Sequence, residues 1–280
     1  MPIHDQSYRR YAGGRAMPGR GWLVIAWAGI RGMIGKRLFL ILLLAAWGPF
    51  VVRSVIIYFS ENFPQAAMLA TSTQTFRDFL KQQDLFVFFL TIYAGAGLIA
   101  NDRRANALQI YLSKPLLRAE YIAGKAAVLF AFLMLITWLP AMLLLVVQVM
   151  FAGSFTFLTR NLFLFPAITV AALLQGLLIT FTMLALSSLS KSSRYVAILF
   201  AGIIFFTKAV FGAMYAITGG GTQLSYLSLG DNVDQVLDVI FRLPPRYSTP
   251  WQVSLTVVIG LIVVSISILE RRVRGVEVVT

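Results

Sequence analysis

The chain has 280 residues, of which 59% are hydrophobic and 12% charged, and its formal net charge is +13. Soluble domains carry about 25% charged residues, so this chain lacks the polar groups to cover a water-facing surface, and an all-α integral membrane protein is the expected class. With no cysteine and a single histidine, His4, read as a solvated tail residue, the sequence excludes disulfides, thiolate and histidine metal sites, iron–sulfur clusters, a cysteine nucleophile and a Ser-His-Asp triad.

In chain order, residues 1–20 are rich in Gly and Arg without apolar periodicity and read as a mobile cytoplasmic tail. In residues 21–36, Trp22, Ala26, Ile30, Met33 and Ile34 recur at helical spacing, with Arg31 and Lys36 on other faces. The uninterrupted apolar stretch, Gly21–Ile30, is too short to span. An interfacial amphipathic helix is expected there, since Trp and basic residues favour that depth. The first long run starts only at Leu38 and has the length of a full span, so it is expected to be retained rather than cleaved as a signal.

A six-helix transmembrane domain is then expected over residues 38–269, with spans at 38–59, 79–100, 125–151, 162–189, 195–217 and 251–269. The 34 uncharged residues between Lys125 and Arg160 accommodate the third span and a short turn. Residues 270–280 form a cytoplasmic tail, and no internal repeat stands out.

The charges sit beside apolar runs rather than on a surface of their own, which is the pattern of membrane topology and not of a nucleic-acid face. On one side lie Arg9, Arg10, Arg15, Arg20, Arg31, Lys36, Arg37, Arg103, Arg104, Lys114, Arg118, Lys125, Lys191, Arg194, Arg271, Arg272 and Arg274. The opposite loops hold Arg77, Lys81, Arg160, Arg242 and Arg246. This asymmetry of 17 against five places both termini in the cytoplasm.

Two cations remain inside spans. Arg53 lies six residues before Phe59, about 9 Å along a helix, and can snorkel to the outer interface. Lys208 is near the middle of the fifth span, where a charge costs about 2.5–3.5 kcal/mol, which marks it as a functional candidate. The plainer alternative has it facing an aqueous cavity or partner helix and bonding backbone carbonyls. All eleven acids read as lying in tails and loops, so no span offers Lys208 an acidic partner. Ion-coupled carriers keep acids within the bilayer, so this distribution disfavours one.

Gly95, Gly97 and Ala100 match a dinucleotide-binding pattern, but they end an apolar span instead of joining strand to helix, and small residues there suit close helix packing. A Walker A sequence is absent, since Gly124-Lys125 is followed by Ala126. The most distinctive segment follows the second span. Residues 102–113 can form a short helix, with Asp102 at its start, Leu108, Tyr111 and Leu112 on one side, and Pro115 ending it.

This segment resembles that of the permease subunits of ABC-2 type ABC transporters, which carry an acidic-basic pair, Gly-Thr-Leu, apolar residues, Pro-x-x-Arg and Gly-Lys. Here Asp102 with Arg103 and Arg104 stands at the acidic-basic pair and Ala107-Leu108 at Thr-Leu. Ile110-Tyr111-Leu112 match the apolar residues, Pro115 and Arg118 the Pro-x-x-Arg, and Gly124-Lys125 the final pair. Two departures fall at the turn: Asp102 replaces the usual Glu, and Asn106-Ala107 replace Gly-Thr. Leu229-Gly230-Asp231-Asn232-Val233 also looks like that family's outer segment.

The resemblance implies a permease subunit of an exporter in the bacterial plasma (inner) membrane, with a second permease, identical or different, as its mate. A separate ATP-binding subunit would take up the segment after span two as a coupling helix formed around Asp102, Arg103, Arg104, Leu108, Tyr111, Leu112, Pro115 and Arg118. ATP and Mg would be bound by that subunit, leaving this chain without catalytic, cofactor-binding or metal-binding residues. The resemblance further implies that residues 21–36 form a connecting helix and that residues 218–250 include short re-entrant helices on the outer side. The alternatives are a carrier or channel working alone, with Lys208 as its substrate site, and a non-transporting scaffold of a larger membrane complex.

Overall fold

Long runs of Leu, Ile, Phe and Val facing lipid fold as helices because only a helix or a closed barrel satisfies every backbone polar group without water. In a computed structural model of the protein, which describes residues 20–63, 71–107, 117–152 and 156–273, the regular structure is entirely helical. Among the described residues, six helices are long and apolar enough to cross a membrane. The chain is an integral, multi-pass membrane protein.

Helix α1 (Gly21–Ile34) runs along the first turns of α6 (Arg118–Ile136), from Trp22 and Ile25 at Gly124 to Gly29 at Val128. Glycine makes this approach possible: a Cβ on Gly124 would sit 2.8 Å from Ile25 Cβ and 2.9 Å from the Trp22 carbonyl oxygen. The first span is α2 (Arg37–Ala45) joined to α3 (Gly48–Asn62), with Pro49 in the first turn of α3, where its missing N–H costs nothing. The second comprises α4 (Thr73–Leu90), a π-helical turn (Thr91–Gly95) and α5 (Gly97–Arg104). It begins at Thr73 because Ser72 and Thr75 form a reciprocal cap and the first turns bury Phe76, Phe79 and Leu80. Charged residues between these aromatics hide the run from a hydropathy reading.

The third span divides into α6 and α7 (Trp138–Ala152) at Thr137, whose hydroxyl bonds the Leu133 carbonyl at 2.8 Å, with Pro140 in the first turn of α7. A short helix, α8 (Thr156–Arg160), leads to α9 (Leu164–Leu189), the central helix, which packs on α5, α6, α7, α10 and α12 through small residues including Ala167, Ala171, Ala172 and Gly176. After α10 (Ser193–Ile217) come a 3₁₀ turn (Ser225–Leu227) and α11 (Leu229–Ile240), and α12 (Trp251–Arg272) completes the bundle.

Two apolar clusters stack along the bundle. One holds Phe39, Leu90, Ile99, Tyr121, Met183, Phe200 and Leu269, toward the end where α5 stops and α6 starts. The other holds Ile57, Phe79, Leu144, Ile168, Leu237, Phe241 and Val258, toward α11. Outward faces carry Trp27, Ile41, Leu44, Ile198, Phe206 and Val263, an apolar exterior suited to lipid.

Gly95 tests the packing. A Cβ there would lie 2.6 Å from Met183 Cγ and 2.9 Å from Leu129 Cδ2, whereas one on Gly260 meets nothing within 4 Å. Gly95→Ala should lower the thermal midpoint in detergent, through overpacking of about 1–3 kcal/mol. Gly260→Ala should hold or raise it, since helical alanine is favoured by about 1 kcal/mol.

Candidate functional site

At one end of the bundle, the segment between α5 and α6 is anchored on both sides. Asp102 Oδ2 accepts a hydrogen bond from Tyr121 Oη at 2.7 Å and pairs with Lys125 Nζ at 2.7 Å, so the end of α5 is clamped to the first turns of α6. Lys125 also lies 5.6 Å from the centre of the Tyr121 ring. The adjacent Gly124 seats α1, which gives the Gly-Lys pair two distinct duties: a close backbone approach and a charge. Arg103 donates to the Ser188 carbonyl at the end of α9. Ser187 donates to the Ala96 carbonyl at 2.8 Å and accepts from the Ile99 and Ala100 amides at 3.1 and 3.0 Å, satisfying groups that the π turn releases. On the far side of the segment, the Leu117 amide donates to Glu120 Oε2 at 3.0 Å, capping α6.

The turn leaving α5 passes through Asn106 at φ 53°, in the left-handed region. Asn tolerates that conformation best after Gly, so Asn106 suits the turn it occupies. Of the predicted coupling residues, Asp102 and Arg103 are thus drawn into the bundle, Arg104 is exposed, and Arg118 is the exposed first residue of α6. Leu108, Tyr111, Leu112 and Pro115 lie outside the described residues.

At the other end, α11 turns its polar face inward. Asp231, Asp234 and Asp238 are all buried, and cations from other elements meet each of them. Arg77, itself only 2% exposed, pairs with Asp238 at 2.7 Å and Asp234 at 3.4 Å. Lys81 pairs with Asp234 at 2.8 Å and Asp84 at 3.1 Å, and Arg246 reaches Asp238 at 3.2 Å. Gln175 of α9 donates to Asp84 at 2.6 Å. Gln235 bonds the Tyr247 and Thr249 carbonyls, and Asn232 those of Tyr226 and Ser228.

This end corrects two sequence-based expectations. Asp78 and Asp84 lie on α4 and Glu61 in the last turn of α3, not in loops; Glu61 accepts from Gln148 at 2.7 Å. The reason is tertiary: α4 extends through a charged stretch that α11 neutralises. Lys208, which no span was expected to pair with an acid, bonds both oxygens of Asp231 on α11, at 2.6 and 2.8 Å, rather than backbone carbonyls. That carboxylate comes from a helix remote in sequence. Arg53 donates sideways to Gln82 Oε1 at 3.1 Å on α4. Asp234, Asp238, Arg77 and Tyr247 do not stand out in the sequence. The usable signal was three aspartates at positions i, i+3 and i+7, which share one helical face.

Burial by itself would raise the Asp231 carboxyl, but hydrogen bonds from Lys208, Tyr247 (2.6 Å) and Ser228 hold it below the ordinary carboxylate range. Asp238 is pushed above that range by burial, which Arg77 and Arg246 offset in part. Burial and the neighbouring Asp231 charge push the Tyr247 phenol up, so it remains a donor.

The described residues thus form a bundle with six helices able to span a membrane, a short apolar helix packed on the third, a clamped junction after the second and a polar-faced helix before the sixth. A family model for ABC-2 family transporter proteins matches residues 23–270. The chain belongs to that family. Among curated proteins, nothing matches it. This ABC-2 permease is therefore a membrane component of an ABC transporter rather than a catalytic subunit. Its match runs from α1 through α12, so the two polar ends lie within the family's own architecture.

The Lys208–Asp231 latch of the permease has a signed acid dependence. A depressed carboxyl stabilises the fold above its unfolded value, and that contribution is lost as pH falls through the folded value, below about 4. Asp238, raised by burial, contributes with the opposite sign. Asp231→Asn should therefore remove the latch's share of the difference between thermal midpoints at pH 6 and pH 3, and it should lower the midpoint at pH 6. It should also speed amide exchange in residues 229–240 at neutral pH.

Proposed function

We propose that this permease is the membrane half of an ATP-driven exporter in the bacterial inner membrane, paired with a second permease and worked by a separate ATP-binding subunit that holds ATP and Mg. The observation that carries this reading is the Asp102 clamp. Residues 105–117 leave α5 beside Asp102 and re-enter α6 within two turns of Tyr121 and Lys125. A displacement of that segment would therefore move the ends of two spans together, and the Arg103–Ser188 contact would carry it to α9. A permease without a nucleotide site must receive its stroke mechanically, and a segment anchored in this way is suited to deliver it.

The recipient face would be Leu108, Tyr111 and Leu112, at i, i+3 and i+4, the spacing by which a helix lays an apolar stripe in a partner's groove. Lys/Arg asymmetry puts this end, both termini and the coupling segment in the cytoplasm, and α11 on the outer side. Reporter fusions at residues 1 and 280 should both read inside.

Leu108→Asp or Tyr111→Asp should cost a few kcal/mol at the subunit contact. Membrane insertion should stay at wild-type levels, while co-purification of a P-loop ATPase and its turnover in the complex fall more than tenfold. Asp102→Ala should separate the two steps, with the ATPase still bound and its turnover no longer raised by the permease. If all three variants retain wild-type binding and turnover, this segment does not couple.

A further inference from the structure

Between the start of α6 and the end of α12, with α9 behind, lies a groove of about 1070 Å³, larger than the 300–1,000 Å³ typical of small-ligand pockets. Its space comes from residue size. Ala119, Ala123 and Ala126, with Ile122 between them, line the α6 side, where longer side chains at the alanines would narrow it, and Phe181 of α9 forms the back wall. Ile266 and Leu269 line the α12 side. These apolar walls open at one end onto Arg118 and Arg271, both exposed at the termini of their helices. Glu270 shares the rim. Among the described residues, neither guanidinium makes an ion pair or hydrogen bond, so both are free to take an anion.

We propose that this groove is a binding site for an anionic phospholipid of the phosphatidylglycerol type, drawn from the leaflet on the Arg118 side. The acyl chain occupies the alanine-lined recess and the two arginines take the phosphate. Guanidinium forks match phosphate oxygens bidentately, and basic pockets between spans at the membrane interface suit lipid headgroups of negative charge. Glu270 leaves the rim one net positive charge and supplies an acceptor for a headgroup hydroxyl. A net-negative headgroup is therefore preferred over a zwitterionic one. The site shares Arg118 with the coupling segment but no residue with the Asp102–Tyr121–Lys125 clamp, and lipid binding to the isolated permease does not require an ATPase partner. Only its assignment to the cytoplasmic leaflet rests on the orientation proposed above.

The test is native mass spectrometry of the full-length protein in detergent, titrated with phosphatidylglycerol, phosphatidylethanolamine or phosphatidylcholine. Wild type should retain phosphatidylglycerol above both zwitterionic lipids. Arg118→Gln with Arg271→Gln should reduce that retention about tenfold or more, and Arg118→Lys with Arg271→Lys should keep most of it. Ala123→Phe, which fills the recess without touching a charge, should also lower retention while leaving the thermal midpoint in place. Millimolar inorganic phosphate should not displace the lipid. Equal retention of all three lipids by wild type would overturn the proposal. So would unchanged phosphatidylglycerol binding in the Gln and Phe variants, or displacement by phosphate alone.

Discussion

Asp231, Asp234 and Asp238 leave water together, on one face of one short helix, and the α11 end of the bundle is built so that each meets a cation. An unpaired buried charge carries a penalty of several kcal/mol, which removing either member of a buried pair exposes. Arg77 and Lys81 on α4, Lys208 on α10 and Arg246 before α12 therefore hold α11 from three directions. The requirement also dictates the length of α4, since its first three turns would be poor membrane helix without carboxylates to receive them. Apolar packing of Val233, Leu237 and Phe241 against Phe79 and Ile168 fills the other side of the same helix. Ionic and apolar restraints thus act on one element.

The opposite end uses fewer charges and more geometry. Asp102, Tyr121 and Lys125 make one clamp, and Gly124 beside it lets α1 pack closely on the same turns of α6. Within the same span, the π turn at Thr91–Gly95 frees backbone groups that Ser187 then satisfies from α9. Gly95 brings α6 and α9 against that turn. A helix irregularity and a cross-helix hydroxyl therefore connect the clamp to the centre of the bundle.

Arg242, at φ 57° just past the end of α11, shows the same economy. A non-glycine residue in this conformation is strained. Here it directs the guanidinium over the Phe163 ring, 4.3 Å from its centre, at the start of α9. The strain is offset by a cation–π contact that ties α11 to the central helix.

Much of this protein is determined by its sequence alone. Few charges and long apolar runs leave only a lipid-facing helical bundle, and backbone hydrogen bonding in a medium without water makes those runs helices. The six spans and the short Trp- and Arg-bearing helix before them follow from local composition or spacing. Pairing across the bundle was decided only by tertiary structure. Lys208 reads as a lone cation because Asp231 lies 23 residues away, and Arg77 meets Asp238 across 161 residues. Asp84 reads as a loop acid because hydropathy cannot show that α11 folds back to neutralise its neighbours. The roomy groove beside Ala123 was equally invisible, since an alanine on a helix face shows neither what it packs against nor what it leaves open. Sequence periodicity reports which residues must avoid water, whereas the partners of the few charges depend on which helices the fold brings together.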